Sequence, residues 1–116
     1  MQRSFRLTRS EDFKRVRRDG KSYAHPLVVL IVQSNDQPRV RVGVAAGKAV
    51  GTAVYRNRTK RLLREAMRTL LPNIASGLDL ILIARPALAS ATLADTQSAL
   101  LNLLQRAKVL TPKHES

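Results

Sequence analysis

Thr52–Thr69 reads TAVYRNRTKRLLREAMRT. At roughly 100° per residue, Tyr55, Thr59, Leu62, Leu63, Ala66, Met67 and Leu70 fall on one arc of a helix, and Arg56, Asn57, Lys60, Arg61, Arg64 and Arg68 fall on the opposite one. Thr52 stands where an N-cap belongs, and Pro72 lies just past the end. The stretch therefore predicts an amphipathic helix from Thr52 to about Thr69, and the rest of the chain is read outward from it. Upstream, Leu27–Val32 is a continuous aliphatic run behind Pro26, and Arg39–Ala46 alternates Val40, Val42 and Val44 with Arg39, Arg41 and Gly43. Both read as strands, and the turn residues Asn35-Asp36-Gln37-Pro38 between them predict a hairpin. A further short strand is expected at Ser22–His25, and a loop at Gly47–Gly51. Downstream, Leu78–Arg85 reads as a buried strand stopped by Pro86, followed by a helix capped by Ser90 or Thr92 and carrying Leu93, Leu100, Leu103, Leu104 and Ala107.

The N-terminal part predicts one more helix, Ser10–Asp19, with Thr8 and Glu11 as a capping box and Gly20 as its stop. The order is α-β-β-β-α-β-α, an α+β sandwich in which strand, long helix and strand imply a crossover with parallel pairing. General rules for such crossovers favour the right-handed form. The 116 residues, 44% of them hydrophobic, suit a single domain with one modest core, from about residue 5 to 107, with a frayed tail at 111–116. No apolar run approaches the roughly 20 residues of a membrane span, and Met1–Arg9 has no apolar signal region. The absence of cysteine excludes disulfides and thiolate metal sites, and the default expectation is a cytoplasmic protein.

Charge narrows the function. The chain has 21 Lys and Arg against 8 Asp and Glu, a net of +13. Residues 1–68 hold 17 of the basic residues and 5 of the acidic ones, so a polyanion is expected to meet the N-terminal two-thirds. Within the long helix, Arg56 and Arg58 lie near the N-terminus, where the helix dipole disfavours cations by about 0.3 to 1 kcal/mol each. A bound phosphate removes that conflict, since free N–H groups and guanidinium forks both favour it. Composition alone leaves RNA and DNA open, the DNA alternative being insertion of this helix in a major groove. The scattered acids offer no carboxylate set for metal-assisted hydrolysis, which argues against a self-sufficient nuclease. His25 and His114 have no matching ligand set, so no protein-held metal is expected. Asp79, at a strand start, is expected to be structural or solvated, and Tyr23 to be packing.

Gly47–Glu65, with its Arg56-Asn57-Arg58 core followed by Lys60-Arg61 and Arg64-Glu65, resembles the signature of the bacterial ribonuclease P protein family. Arg6-Leu7, Glu11-Asp12-Phe13, Arg41-Val42-Gly43 and Leu82-Ile83-Ala84-Arg85 match in the same order. The resemblance implies a left-handed βαβ crossover, a partnership with a catalytic RNA, and assistance to Mg²⁺-dependent removal of the 5′ leader from precursor tRNA. It implies as well that the cleavage chemistry and most of the Mg²⁺ binding belong to that RNA, and no obligate protein partner is expected. It implies that Arg56, Asn57, Arg58, Lys60, Arg61, Arg64 and Arg68 face the catalytic RNA, with Lys48 beside them. It also implies a leader cleft between the first helix and the sheet, here with Phe13, Arg17, Arg41 and Lys48. Arg17 stands where relatives often carry a second aromatic, and Leu30 or Ile31 where some carry a strand aromatic. Ala45 and Gly47 stand where some carry serines near Lys48. A cleft so composed is expected to hold its strand more by charge and less by stacking.

Overall fold

The structure is a computed structural model that describes residues 6–111. Residue 5, His114 and the expected tail at 112–116 lie outside the described residues. The elements are α1 (Ser10–Asp19), β1 (Lys21–Ala24), β2 (Val28–Ser34), β3 (Val40–Ala46), α2 (Ala53–Arg68), β4 (Leu78–Ala84) and α3 (Leu93–Arg106), with short 3₁₀ turns at Lys48–Val50, Leu71–Asn73 and Pro86–Ser90. The architecture is α+β, with a four-stranded mixed sheet ordered β1-β2-β4-β3. β2 pairs antiparallel with β1 and β4, and β3 pairs parallel with β4.

The expected β2–β3 hairpin does not form, because β4 lies between those two strands. The segment leading into β4 enters through the mouth of the intended turn. Asn35 N–H donates to the Gly77 carbonyl (2.8 Å), and Gly77 N–H donates to the Arg39 carbonyl (3.1 Å). Gly77 makes this insertion at φ 81°, where a side chain would be strained. β4 is the strand buried most fully on both faces, which is why it is central and why its sequence is an almost unbroken aliphatic run. The true hairpin joins β1 to β2 in register Lys21↔Val32 through Ala24↔Val29.

One sheet face carries α2 and α3 over the main core, where Leu30, Leu63, Met67, Leu80, Leu82, Leu100, Leu103 and Leu104 are fully buried. Side chains of this kind contribute about 1.5 to 3 kcal/mol each by leaving water. The other face carries α1 over a small cluster of Leu7, Val16, Ile31 and Ile81, with Phe13, Val29 and Ile83 half-buried around it.

Helix ends differ in detail from expectation. Arg9, not Thr8, is the N-cap of α1, and no side chain caps it. Leu7 N–H donates to the Val42 carbonyl (2.8 Å), so the preceding residues run along the edge of β3 and Thr8 is not the capping residue. Gly20 ends α1 with an extended backbone (φ −79°), so left-handed freedom is not its role. A Cβ there would lie 2.5 Å from the Val16 carbonyl oxygen and 2.8 Å from Ile31 Cγ2, so the glycine answers crowding. Thr52 holds the N-cap position of α2 without a side-chain bond. Thr92, rather than Ser90, caps α3 in a reciprocal box: Asp95 N–H donates to Thr92 Oγ1 (3.0 Å) and Thr92 N–H to Asp95 Oδ2 (3.2 Å). Tyr55, expected on the buried arc of α2, is 50% exposed, because α2 begins beyond the edge of the core. Thr111, expected to fray, is held: its N–H (2.7 Å) and hydroxyl (3.1 Å) both donate to the Asn73 carbonyl.

Candidate nucleic-acid interface

The long helix presents two faces of opposite chemistry. Thr59, Leu63, Ala66 and Met67 are buried on the core side. The Thr59 hydroxyl is satisfied there by donating to the Arg56 carbonyl (2.9 Å). On the other side Asn57, Arg58, Arg61 and Arg68 are exposed, and Arg56, Lys60 and Arg64 are half-buried. The first turn has no acid. Arg68 pairs with Glu65 (2.7 Å), whose carboxyl is held below its usual range by that hydrogen bond. Arg58 Nη1 donates to the Ala89 carbonyl (2.6 Å), which fixes the side chain while leaving its charge uncompensated. Among the described residues no carboxylate pairs with Arg56, Lys60, Arg61 or Arg64. The Arg64 guanidinium sits below its ordinary pKa because burial and the nearby charge of Arg6 both disfavour it. Lys48, exposed in the 3₁₀ turn after β3, leads into this helix through Gly51, whose positive φ of 134° closes the turn against the Tyr55 ring.

The second region lies on the opposite sheet face. Phe13 packs on Gly43 so closely that a Cβ there would come within 2.4 Å of the ring. The ring is half-buried, core on its inner edge and wall on its outer one. Arg17, four residues on, is exposed on the same side of α1. Beyond the helix the sheet floor continues through Val29, Ile83 and Ala45, each only half-buried. The structure thus brings Phe13 and Arg17 together beside an open apolar floor.

Arg41 is placed differently. It points to the same sheet face but is tied into a buried ion cluster. Its Nε and Nη2 donate to Oδ1 and Oδ2 of Asp79, both at 2.9 Å. Arg15 from α1 donates to Asp79 Oδ2 (2.6 Å), and Asn35 donates to Oδ1 (2.8 Å). Asp12 pairs with Arg15 (3.3 Å) and Arg41 (3.7 Å), and Gln33 accepts from Arg15 Nη1. Asp79 is fully buried. Burial alone would raise its pKa, but hydrogen bonds from Arg41, Arg15 and Asn35 outweigh that and hold it below the ordinary carboxylate range. Arg15 is raised in turn by its bond to Asp79. Sequence reasoning missed this cluster. The available signal was a lone acid inside Leu78-Asp79-Leu80-Ile81-Leu82, since a carboxylate in a buried strand requires partners.

The chain's similarity to known proteins is specific. A family model described as Ribonuclease P matches residues 1–108. The chain is 45% identical over 109 residues to the "Ribonuclease P protein component" of Herpetosiphon aurantiacus, covering 94% of this chain and 89% of that one. It is 41% identical over 111 residues to the protein of the same name from Brevibacillus brevis, covering 95% and 88%. Among solved structures, the RNase P protein of Staphylococcus aureus superposes with a TM-score of 0.83 at 31% identity, covering 92% of this chain and 98% of that one. That of Thermotoga maritima superposes with a TM-score of 0.78 at 30% identity, covering 87% and 96%.

Proposed function

This chain belongs to the ribonuclease P protein family, and from that premise we propose that its uncompensated α2 face binds the catalytic RNA while the α1 cleft receives the 5′ leader of precursor tRNA. Membership makes it the protein subunit of an endoribonuclease ribonucleoprotein of tRNA 5′ processing. The observation that carries the finer assignment is the set of cations on α2 without carboxylate partners among the described residues: Arg56, Lys60, Arg61 and Arg64. A folded domain gains nothing by gathering like charges on one helix, and a polyanion turns that repulsion into attraction. Asn57, Arg58, Lys48 and, once detached from Glu65, Arg68 extend the same contact. Two RNA molecules approaching each other repel, and a cationic surface between them lowers that repulsion.

In the cleft, the outer edge of Phe13 offers one stacking surface and Arg17 supplies charge. Stacking on one aromatic is worth about 1 to 3 kcal/mol per base. Arg41 supports this cleft through Asp79 and α1 rather than by free contact with the leader. Mg²⁺ is assigned to the RNA. Asp12, Asp19, Glu65 and Asp79 all pair with arginines, so these carboxylates do not fit as cation ligands. No helix among the described residues is long and apolar enough to cross a membrane, and the cytoplasm, where tRNA precursors arise in bacteria, is the proposed setting.

The test is reconstitution with ribonuclease P RNA at low Mg²⁺. Restored leader cleavage is expected, and no stimulation by the protein overturns the reading. RNA affinity is expected to fall steeply with salt. Six phosphate contacts give a slope of log K against log salt of roughly −4 to −5.

A further inference from the structure

We propose that the cavity at the outer edge of β3, between Arg6 and Arg64, binds a phosphodiester group of an RNA strand. The inference rests on the RNA-binding reading above and names a subsite that joins its two regions. Arg6, Leu7 and Thr8 run beside β3 as a single parallel bridge, Arg6↔Val42, closed by the Leu7 N–H to Val42 carbonyl bond. The ladder stops there. Continuing it requires Val44 N–H to donate to the Leu7 carbonyl, and that bond is not formed. The strand's alternation turns the Val44 N–H to the same outer edge as the Val42 carbonyl. Past the last rung opens a cavity lined by Arg6, Thr8, Phe13, Val44 and Arg64.

The chemistry of that lining is one-sided. Two guanidiniums converge with no carboxylate pairing to either among the described residues. Burial, and after it the charge of Arg6, hold Arg64 below its ordinary pKa. The Thr8 hydroxyl and the Val44 N–H add donors. Two guanidinium forks and two neutral donors around an open cavity suit a phosphate with its several acceptor oxygens. The Phe13 ring forms another wall, so a strand whose phosphate sits here has a stacking surface beside it. Arg6 and Arg64 come from chain segments far apart in sequence, and the cavity lies where the leader cleft meets the basic helix.

The phosphate could belong to the catalytic RNA or to the leader, and the experiment separates them. Holoenzymes are assembled with Arg6→Gln, Arg64→Gln and the double variant. Affinity for the catalytic RNA, and for precursors with long and one-nucleotide leaders, is measured. Each single change is expected to weaken one of these about tenfold, the size of one charge-assisted contact. The double variant is expected to lose far less than the product of the two single losses, because either arginine alone no longer clamps the group. A loss in assembly assigns the phosphate to the catalytic RNA. A loss confined to long-leader precursors assigns it to the leader. Unchanged binding everywhere, or two losses that multiply as independent effects, overturns the proposal. Arg6→Lys and Arg64→Lys, which keep the charge, replace any Gln variant whose melting shows that it does not fold. Arg56→Gln and Arg61→Gln run alongside. If they weaken binding while the cavity variants do not, only this inference fails; if they also bind undiminished, the RNA-binding reading fails with it.

Discussion

Arginine does two different jobs in this molecule. Beneath α1, Arg15 and Arg41 converge on Asp79 and Asp12, and every charge there has a partner. On α2, Arg56, Arg61 and Arg64 carry the same group without a carboxylate partner among the described residues. The difference lies in the strand beside them. β4 supplies a fully buried acid at position 79 to one side of the sheet, and only apolar side chains to the other. Paired guanidiniums lock a helix to a sheet; unpaired ones leave an attractive field in solution. A local charge count does not separate the two, since α1 is also rich in basic residues.

The sharpest way to break the contrast is charge reversal on the open side. Arg58→Glu with Arg61→Glu is expected to weaken assembly with the catalytic RNA by roughly a hundredfold or more, two charge-assisted contacts being lost. The melting temperature should fall only slightly, from the Arg58–Ala89 tether. A collapse in melting with RNA affinity retained would make these residues structural.

On the closed side the expected loss is reversed in kind. Asp79→Ala leaves two guanidiniums facing each other and is expected to cost about 3 kcal/mol of stability, the lower end for a broken buried pair. The low end applies because Arg41 and Arg15 keep 21% and 31% of their side-chain surface in water. Acid should reproduce part of this. The folded pKa of Asp79 is depressed, so its contribution is full above the unfolded value near 4 and disappears as pH falls through the lower folded value. Melts from about pH 6 down to about pH 2 should show wild-type stability converging on that of Asp79→Ala. A constant gap at all pH values would show that the carboxylate's charge is not what holds α1.

Smaller effects sharpen the comparison. Phe13→Ala is expected to cost about 2 to 3 kcal/mol, below the fully buried figure because the ring is half-buried, and also to weaken long-leader precursors. A stability loss without a leader effect would make the ring core alone. Glu65→Gln removes the one acid on α2 and releases Arg68. Melting should hardly change, since both groups are exposed, while RNA affinity stays equal or rises slightly.

These contrasts mark what was legible in the sequence. Period and capping position located α2 and separated its buried Thr59, Leu63, Ala66 and Met67 from its cations, because both follow from neighbours along one helix. The Arg56-Asn57-Arg58 signature carried the family. Strand pairing was not legible in the same way. Val40–Ala46 and Val28–Ser34 both look like partners for any apolar strand, and nothing local shows that Gly77 threads between their ends. The role of Arg41 was hidden for the same reason, since its partner lies 38 residues away. Tyr55 fell on the correct arc, but the arc extends past the core it was expected to cover.

The central place of β4 also sets an order of events. During synthesis, β2, β3 and the whole of α2 leave the ribosome before the strand that joins them exists. The non-local closure must wait for Leu78–Ala84, so a chain ended at residue 77 is expected to show no cooperative melt. Until then the growing polypeptide carries its cations without the sheet that orients them, so the proposed RNA surface takes shape only once β4 is in place.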